Sequence, residues 1–589
     1  MIVPLVKLSL CGLLKEKAKV LADLQDLGCL HLIPLSRPPE HIRRGGPSSA
    51  AREALKFLLD CSQKRRQIRE SAAFDPVAVE NRALELKERI QELEDERDFL
   101  RRRLADLKPW GDFTFPCPED FGGLRLWFYA VPSPDLAQIP ADLIYQVVNR
   151  DNRFAYIVVL SAAEPRDMPV RRIRAGSRSP RELEDRLEAV ELELEDLQAE
   201  RSSLTRWCTL FARSLARLED EAAIAEAAGQ TLSEAPLFAL QAWAPEENLP
   251  QIRRYADNLG LVLEVKEPEP GETPPTLLRN PPAVASGQDL VSFYTTPGYW
   301  DWDPSAMVFF SFALFFAMIV ADAGYGLLLG IGVLLGWRRL GQSPGGRRFR
   351  LCLALMAGAT VVYGALVNSY FGVAWPSGSL PARLGFLNLN DFNTMMGLSV
   401  AIGVLHLIMA NAANAWSRRR SRVALAPVGW ILVFVGAVLW GLSALKAGPA
   451  GLKYGGMVLM AGGGVGVLLF TTVEGPLWRR LLGGLKGLAR LSNAFGDTLS
   501  YLRLFALGLA SASLAVSFNN LAKQVHAAFP GLGLFFALLI ILLGHALNLT
   551  LALASGFIHG LRLNFIEFFN WGLTEEGYRF QAFARKEKS

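Results

Sequence analysis

Two arginines stand where a charge is expensive. Arg503 lies about 12 residues from the inner end of one long apolar run, and Arg562 about 8 residues from the inner end of the next, so tilt brings both to similar depth. Burying a guanidinium at bilayer depth costs at least ~2.5 kcal/mol, and the group then usually faces an aqueous cavity or an ionised partner. Around these arginines the polar residues are spaced by threes and fours. Asn493, Asp497, Ser500 and Arg503 form one series; His545, Asn548, Ser555, His559 and Arg562 form another, with Ala552 its apolar member. Each series falls on one face of a helix, and a polar stripe at that depth lines water or a partner rather than lipid.

The chemistry this permits is gating of a moving acid. A fixed cation between two partial aqueous paths favours the ionised form of a passing carboxylate and blocks a short circuit of protons. The chain has no mobile acid of its own, so a partner must supply it. The plainer reading is snorkelling or a structural ion pair, Arg503 with Asp497 or Arg562 with Glu567, and it suits the deeper Arg503 least. His406 reads as a packed polar residue and Asp322 as a group that satisfies a broken turn. No GxxxxGK[ST] run occurs, so nucleotide hydrolysis belongs elsewhere. Six scattered cysteines (Cys11, Cys29, Cys61, Cys117, Cys208, Cys352) include no CxxC pair, which argues against a disulfide framework or a zinc site.

Such residues need a membrane scaffold, and the composition provides one. The 589 residues are 51% hydrophobic and 20% charged, but unevenly. Residues 1–300 carry 39 Lys and Arg against 47 Asp and Glu, and residues 301–589 carry 23 against 10. The second half is apolar runs of about 20 residues, the length that crosses a bilayer, separated by short basic clusters. A purely soluble protein and a single-anchor receptor are both excluded. The N-terminus lacks the basic region and small-residue cleavage site of a signal peptide.

In the first half, residues 2–10 and 29–35 are expected as strands flanking an amphipathic helix that Gly28 ends. Two heptad tracts follow. Leu86, Ile90, Leu93, Leu100, Leu104 and Leu107 mark the first, interrupted by Arg97. Leu183, Leu187, Val190, Leu194, Leu197, Leu204, Cys208, Phe211, Leu215 and Leu218 mark the second, interrupted by Arg201. They predict an antiparallel coiled coil, a strut on the order of 45 to 70 Å long, rather than two ordinary globular helices. The predicted cytoplasmic domain is residues 1–290. It has α/β lobes near 1–50, 108–180 and 230–266, coiled-coil tracts near 51–107 and 181–228, and a linker at 267–290 that is rich in proline up to residue 282.

The transmembrane domain is residues 300–589. Arginine clusters at 338–350, 418–422 and 479–490 belong on the cytoplasmic side. With a cytoplasmic first half, residues 305–336 must then be a hairpin broken at Ala321-Asp322-Ala323-Gly324-Tyr325-Gly326. Further passes fall near 350–372, 392–415, 424–445, 454–472, 491–526 and 532–570. The total is eight helices, with both termini inside and outer loops at 373–391, 446–453 and 527–531. Gly462-Gly463-Gly464 reads as a site of close helix packing rather than a phosphate cradle.

These residues resemble the membrane stator subunit, called subunit a or subunit I, of V/A-type rotary ATPases. Ser500-Tyr501-Leu502-Arg503-Leu504-Phe505-Ala506-Leu507 is similar to the family's arginine motif, and His559-Gly560-Leu561-Arg562-Leu563 with Glu567 to its last-helix motif. The resemblance implies a rotor ring of small carboxylate-bearing subunits facing Arg503, with Arg562 in support, and two long tilted helices separating offset half-channels. It also implies peripheral stalk subunits on the soluble arm and a central stalk cap subunit nearby. Asn493 and Asp497 are chosen from their stripe for the cytoplasmic path. Eukaryotic relatives have His and Glu where this chain has Ser511 and Ala552, so the outer path falls to His545, Asn548, Ser555 and His559. Asp322-Ala323-Gly324-Tyr325-Gly326 is similar to the family's Asp-x-Gly-x-Gly turn, with Ala321 in place of its leading Gly.

The expectation is therefore a non-catalytic, multi-pass cell-membrane subunit that conducts protons, or alternatively sodium ions, past a rotor ring. Cofactor, metal and nucleic acid have no part in it. A self-contained secondary transporter would show an inverted repeat and a midplane site, and neither is evident. A scaffold with a mere anchor would tolerate loss of its intramembrane charges.

Overall fold

The computed structural model describes the whole chain except residues 37–45, 115–121, 141, 167, 174–177, 270, 377, 446–449, 474–475 and 587–589. Cys117 and residues 446–449 of the expected outer loop at 446–453 therefore lie outside the described residues. The chain forms two compact units. One comprises Met1–Gly12, Cys29–Ile33 and Ala239–Ala582; the other comprises Leu13–Gly28, Pro34–Phe238 and Phe583–Ser589. Strands from the start of the chain and from residues 237–266 share one sheet with each other. Its strand order is His31–Ile33, Leu237–Pro245, Leu5–Leu13, Val262–Lys266, and the Leu5–Leu13 and Val262–Lys266 strands run antiparallel.

The second unit holds the arm. Its first tract is two helices, Ser49–Leu59 and Pro76–Leu107. Pro76 fits the first turn of a helix but lacks the N–H needed further in, and Asp75 caps that helix by accepting from Val77 and Ala78. At about 1.5 Å per residue the 32-residue helix spans about 48 Å. Pro180–Leu204 packs against it, burying Leu183, Val190 and Leu194 against Ile90, Leu93 and Leu100. Arg82, Arg89 and Glu96 pair with Glu200, Glu193 and Arg186. Each step of seven forward on one helix is matched by seven backward on the other, so the helices are antiparallel. The two heptad interruptions have separate explanations: Arg97 turns to Asp98, and the Arg201 guanidinium stacks on Phe57 at 4.0 Å and donates to its carbonyl. The chain between the tracts forms a three-stranded antiparallel sheet with Phe154–Ser161 central. Gly28 ends the Lys17–Leu27 helix as expected, at φ 64°.

In the first unit six helices among the described residues are long and apolar enough to cross a membrane: Pro344–Leu366, Phe392–Ser417, Arg422–Ser443, Gly451–Phe470, Leu477–Ala528 and Gly533–Gly572. The chain is a multi-pass membrane protein. Two shorter helices, Ser305–Val320 and Ala323–Leu340, flank the expected break. The break lies at Ala321, which takes a left-handed φ of 50°, and at Asp322, which caps the second leg. Gly463 approaches the Gly429 carbonyl so closely that a Cβ would lie 2.4 Å from it, whereas Gly462 has open space. The glycine run thus permits close packing through its middle member.

Several elements differ from expectation. The linker contains a helix, Ala285–Tyr294. The basic cluster at 479–490 lies on its own amphipathic helix, Leu477–Ala489, which local charge density alone does not distinguish from a loop. The helix expected at 491–526 divides at Tyr501 into Leu491–Ser500 and Leu502–Ala528. The last helix is regular over Gly533–Arg562 and then widens into a π-helical turn, Leu563–Phe568. The C-terminal tail returns to the sheet lobe: Glu576–Gly577 pairs with Thr296–Pro297, and Phe580 packs against Leu5 and Trp243.

Candidate functional site

Arg503 stands at the start of the Leu502–Ala528 helix, just past the break at Tyr501. Its Nη2 donates to Glu567 Oε1 at 3.0 Å and its Nε to the Ser500 carbonyl at 3.2 Å. Glu567 is 2% exposed and comes from the π-helical turn. Neither pairing named under the plainer reading forms; the acid of one meets the arginine of the other. Asp497 does not take Arg503; it accepts from Trp571 Nε1 at 2.8 Å. Glu567 does not take Arg562, because the widened turn redirects the side chains that follow Arg562. Arg562 is exposed and, among the described residues, makes no hydrogen bond or ion pair.

Behind the pair, His406 Nδ1 and the Tyr501 hydroxyl are hydrogen-bonded at 2.8 Å. The His406 ring lies on Phe568 with centroids 4.2 Å apart and planes 8° from parallel. His406 is thus a packed polar residue, as expected, but it packs between the segments that carry Arg503 and Glu567.

Asn493 and Asp497 line one cavity of about 390 Å³ with Arg490, Ser492, Asn570 and Trp571. Arg490 donates to the Asn570 carbonyl and lies over the Trp571 ring. Ser500 contributes its carbonyl to Arg503.

A second polar cluster surrounds His545 and Asn548. His545 Nδ1 meets the Tyr325 hydroxyl at 2.7 Å and its Nε2 meets Asn519 Oδ1 at 3.1 Å. Asn548 donates to the Tyr325 hydroxyl and to the Ser511 carbonyl. Asp322 holds the hairpin turn beneath, accepting from Tyr325 N, Phe371 N, Gly372 N and the Ser369 hydroxyl. That is the structural role expected for it. Ser555 and His559 continue the stripe half-buried, and His559 Nδ1 is closed to solvent without a partner. Ala552 packs among Phe309, Phe312 and Phe316.

The spacing argument did not reach Tyr501, Asn519, Tyr325 or Trp571. Tyr325 and Tyr501 carried a signal, since one sits inside the turn motif and the other inside the arginine motif. The others are joined to the site only by long-range contact. Among the described residues no group of three or more His, Cys, Asp or Glu could hold a metal ion.

No family model matches the chain. A V-type ATP synthase subunit I of Chlamydia pneumoniae is 28% identical over 612 residues, which is 89% of this chain and 86% of that one. An A-type ATP synthase subunit I of Methanocaldococcus jannaschii is 27% identical, covering 67% of this chain and 63% of that protein. A V-type ATP synthase subunit I of Treponema pallidum is 31% identical over 54% of each chain. A crystal structure of the cytoplasmic N-terminal domain of subunit I, homolog of subunit a, of V-ATPase covers 44% of this chain and 99% of its own at 18% identity. Its TM-score of 0.21 is too low to speak for a shared fold.

Proposed function

Because the chain is a relative of the subunit I proteins of V-type and A-type ATP synthases, we propose that it is the non-catalytic membrane stator subunit of such a rotary complex, with Arg503 facing the carboxylates of a rotor ring. The observation that carries this reading is the state of Arg503. It is a permanent cation whose side chain remains 23% exposed on a helix with no other charged side chain until Lys523. Such a group can stabilise an ionised acid as it passes and release it when it takes a proton.

Protons reach the ring acid by two offset paths. The cavity lined by Asn493 and Asp497 supports the cytoplasmic one, and the cluster of His545, Asn548, Ser555 and His559 is the outer one. Arg562, close along the same helix, adds positive potential beside Arg503. Counting the hairpin legs as two passes gives eight. The first unit's sheet lobe and the returning C-terminal tail then share the cytoplasmic side, which the pairing of Glu576–Gly577 with Thr296–Pro297 supports. The antiparallel helix pair serves as a coiled-coil strut for peripheral stalk subunits, with the central stalk cap subunit beside it.

Replacing Arg503 by Ala tests the reading. The expected result is an assembled complex that has lost ATP-driven ion transport; undiminished transport would leave the membrane part a mere anchor.

A further inference from the structure

The Arg503 and Glu567 pair is incomplete on both sides. One bond joins them, at 3.0 Å, while Arg503 Nη1 and Glu567 Oε2 are both closed to solvent and without a partner. Arginine and carboxylate frequently settle into two parallel bonds, and each buried polar atom left open is costly. Exposure is lopsided as well: 23% of the arginine side chain is exposed against 3% of the glutamate side chain. The cation reaches the surface and the acid does not.

Both segments are pinned from behind. Tyr501, two residues before the arginine, bonds to His406, and the His406 ring lies flat on Phe568, the residue after the glutamate. The acid also sits in a π-helical turn, a distortion frequent at functional sites. The backbone positions are therefore fixed while the bond between the side chains is left half-made.

We propose that Glu567 is a built-in placeholder acid, which holds the Arg503 guanidinium between encounters and yields it, by exchange of hydrogen-bond partner, to each ring carboxylate that arrives. The inference rests on the reading of Arg503 given above. No covalent bond changes: the exposed part of the guanidinium meets the incoming carboxylate as the bond from Nη2 to Glu567 Oε1 loosens. The placeholder prevents an uncompensated charge from standing among apolar helices. By competing, it also weakens the hold on the ring acid enough for that acid to leave. The other charged and titratable groups around the pair are Asp497 and Tyr501 on the arginine's segment, His406 on Phe392–Ser417, and His559 and Arg562 on the last helix. The Ser305–Val320 helix packed against both long helices carries no charged or titratable residue.

The test uses the reconstituted holoenzyme with Glu567→Gln and Glu567→Asp. The expected Gln variant assembles, drives proton transport roughly tenfold to a hundredfold more slowly, and has its pH profile displaced toward acid, because an uncontested Arg503 favours the ionised ring acid. The Asp variant is displaced the same way by less. Where only the Asp variant assembles, its profile decides. A rate and profile like the unmodified complex, a slowed rate with an unmoved profile, or failure of both variants to assemble would each overturn the inference. If Arg503→Ala abolishes transport while Glu567→Gln changes nothing, only the placeholder falls; if Arg503→Ala is harmless, the reading beneath it falls.

Discussion

His406 Nδ1 lies 2.8 Å from the Tyr501 hydroxyl; both residues are buried, and Tyr501 belongs to the apolar cluster that ties the Phe392–Ser417 helix to the break before Arg503. The bond joins elements 95 residues apart in sequence. Tyr501→Phe keeps the ring and removes the hydroxyl, leaving a buried imidazole nitrogen unsatisfied. The expected cost is about 1–3 kcal/mol, seen as a lower midpoint for thermal unfolding of the detergent-solubilised chain. An unchanged midpoint would mean that the bond contributes nothing to the site's framework.

Asp497 tests the cytoplasmic path. Asp497→Asn keeps an oxygen to accept from Trp571 Nε1, so the local packing persists while the ionisable group is lost. Proton transport by the assembled complex is expected to fall by roughly an order of magnitude, the lower end of what a positioned proton-transfer group contributes. Arg503 stays in place, so ATP hydrolysis and assembly serve as controls. Full transport in this variant would move the path away from the cavity.

The arm should loosen in acid. Hydrogen bonding from Arg186 holds the Glu96 carboxyl below its ordinary value, and Arg82 does the same for Glu200. A folded-state value below the unfolded one means that the contribution is complete above the ordinary carboxylate range and disappears as pH falls through the depressed values. Both pairs are largely solvent-exposed, so the effect is modest and screened by salt. Hydrogen exchange in Pro76–Leu107 and Pro180–Leu204, corrected for its intrinsic pH dependence, should quicken as pH falls below the ordinary carboxylate range in low salt. Protection that stays constant over that fall would show that the apolar seam alone holds the helices together.

Much of the site was legible because its signals are local. Arg503 stands out by charge in an apolar run, and the two stripes stand out by helical spacing, which depends only on residues three and four apart. Asp497 and Asn493 do line one cavity, and His545 and Asn548 do share a hydrogen-bond network. The partner of Arg503 was not legible. Asp497 is six residues away and Glu567 is 64, and sequence distance favoured the wrong acid. The deciding feature is a one-residue widening of the last helix near Glu567, and nothing in the composition of LNFIEF separates a π turn from an α turn.

The division between the two kinds of knowledge follows from the range of the forces involved. Charge asymmetry, apolar run length, heptad spacing and the punctuation at Gly28, Pro76 and Asp322 act within a turn or two of the chain. By itself the order of residues therefore determined a membrane half, a long helical arm and a deep cation. Which acid meets that cation, which ring clamps its backbone, and that the two ends of the soluble segment close one sheet were decided by packing between segments tens to hundreds of residues apart, where only the folded chain brings the atoms within reach.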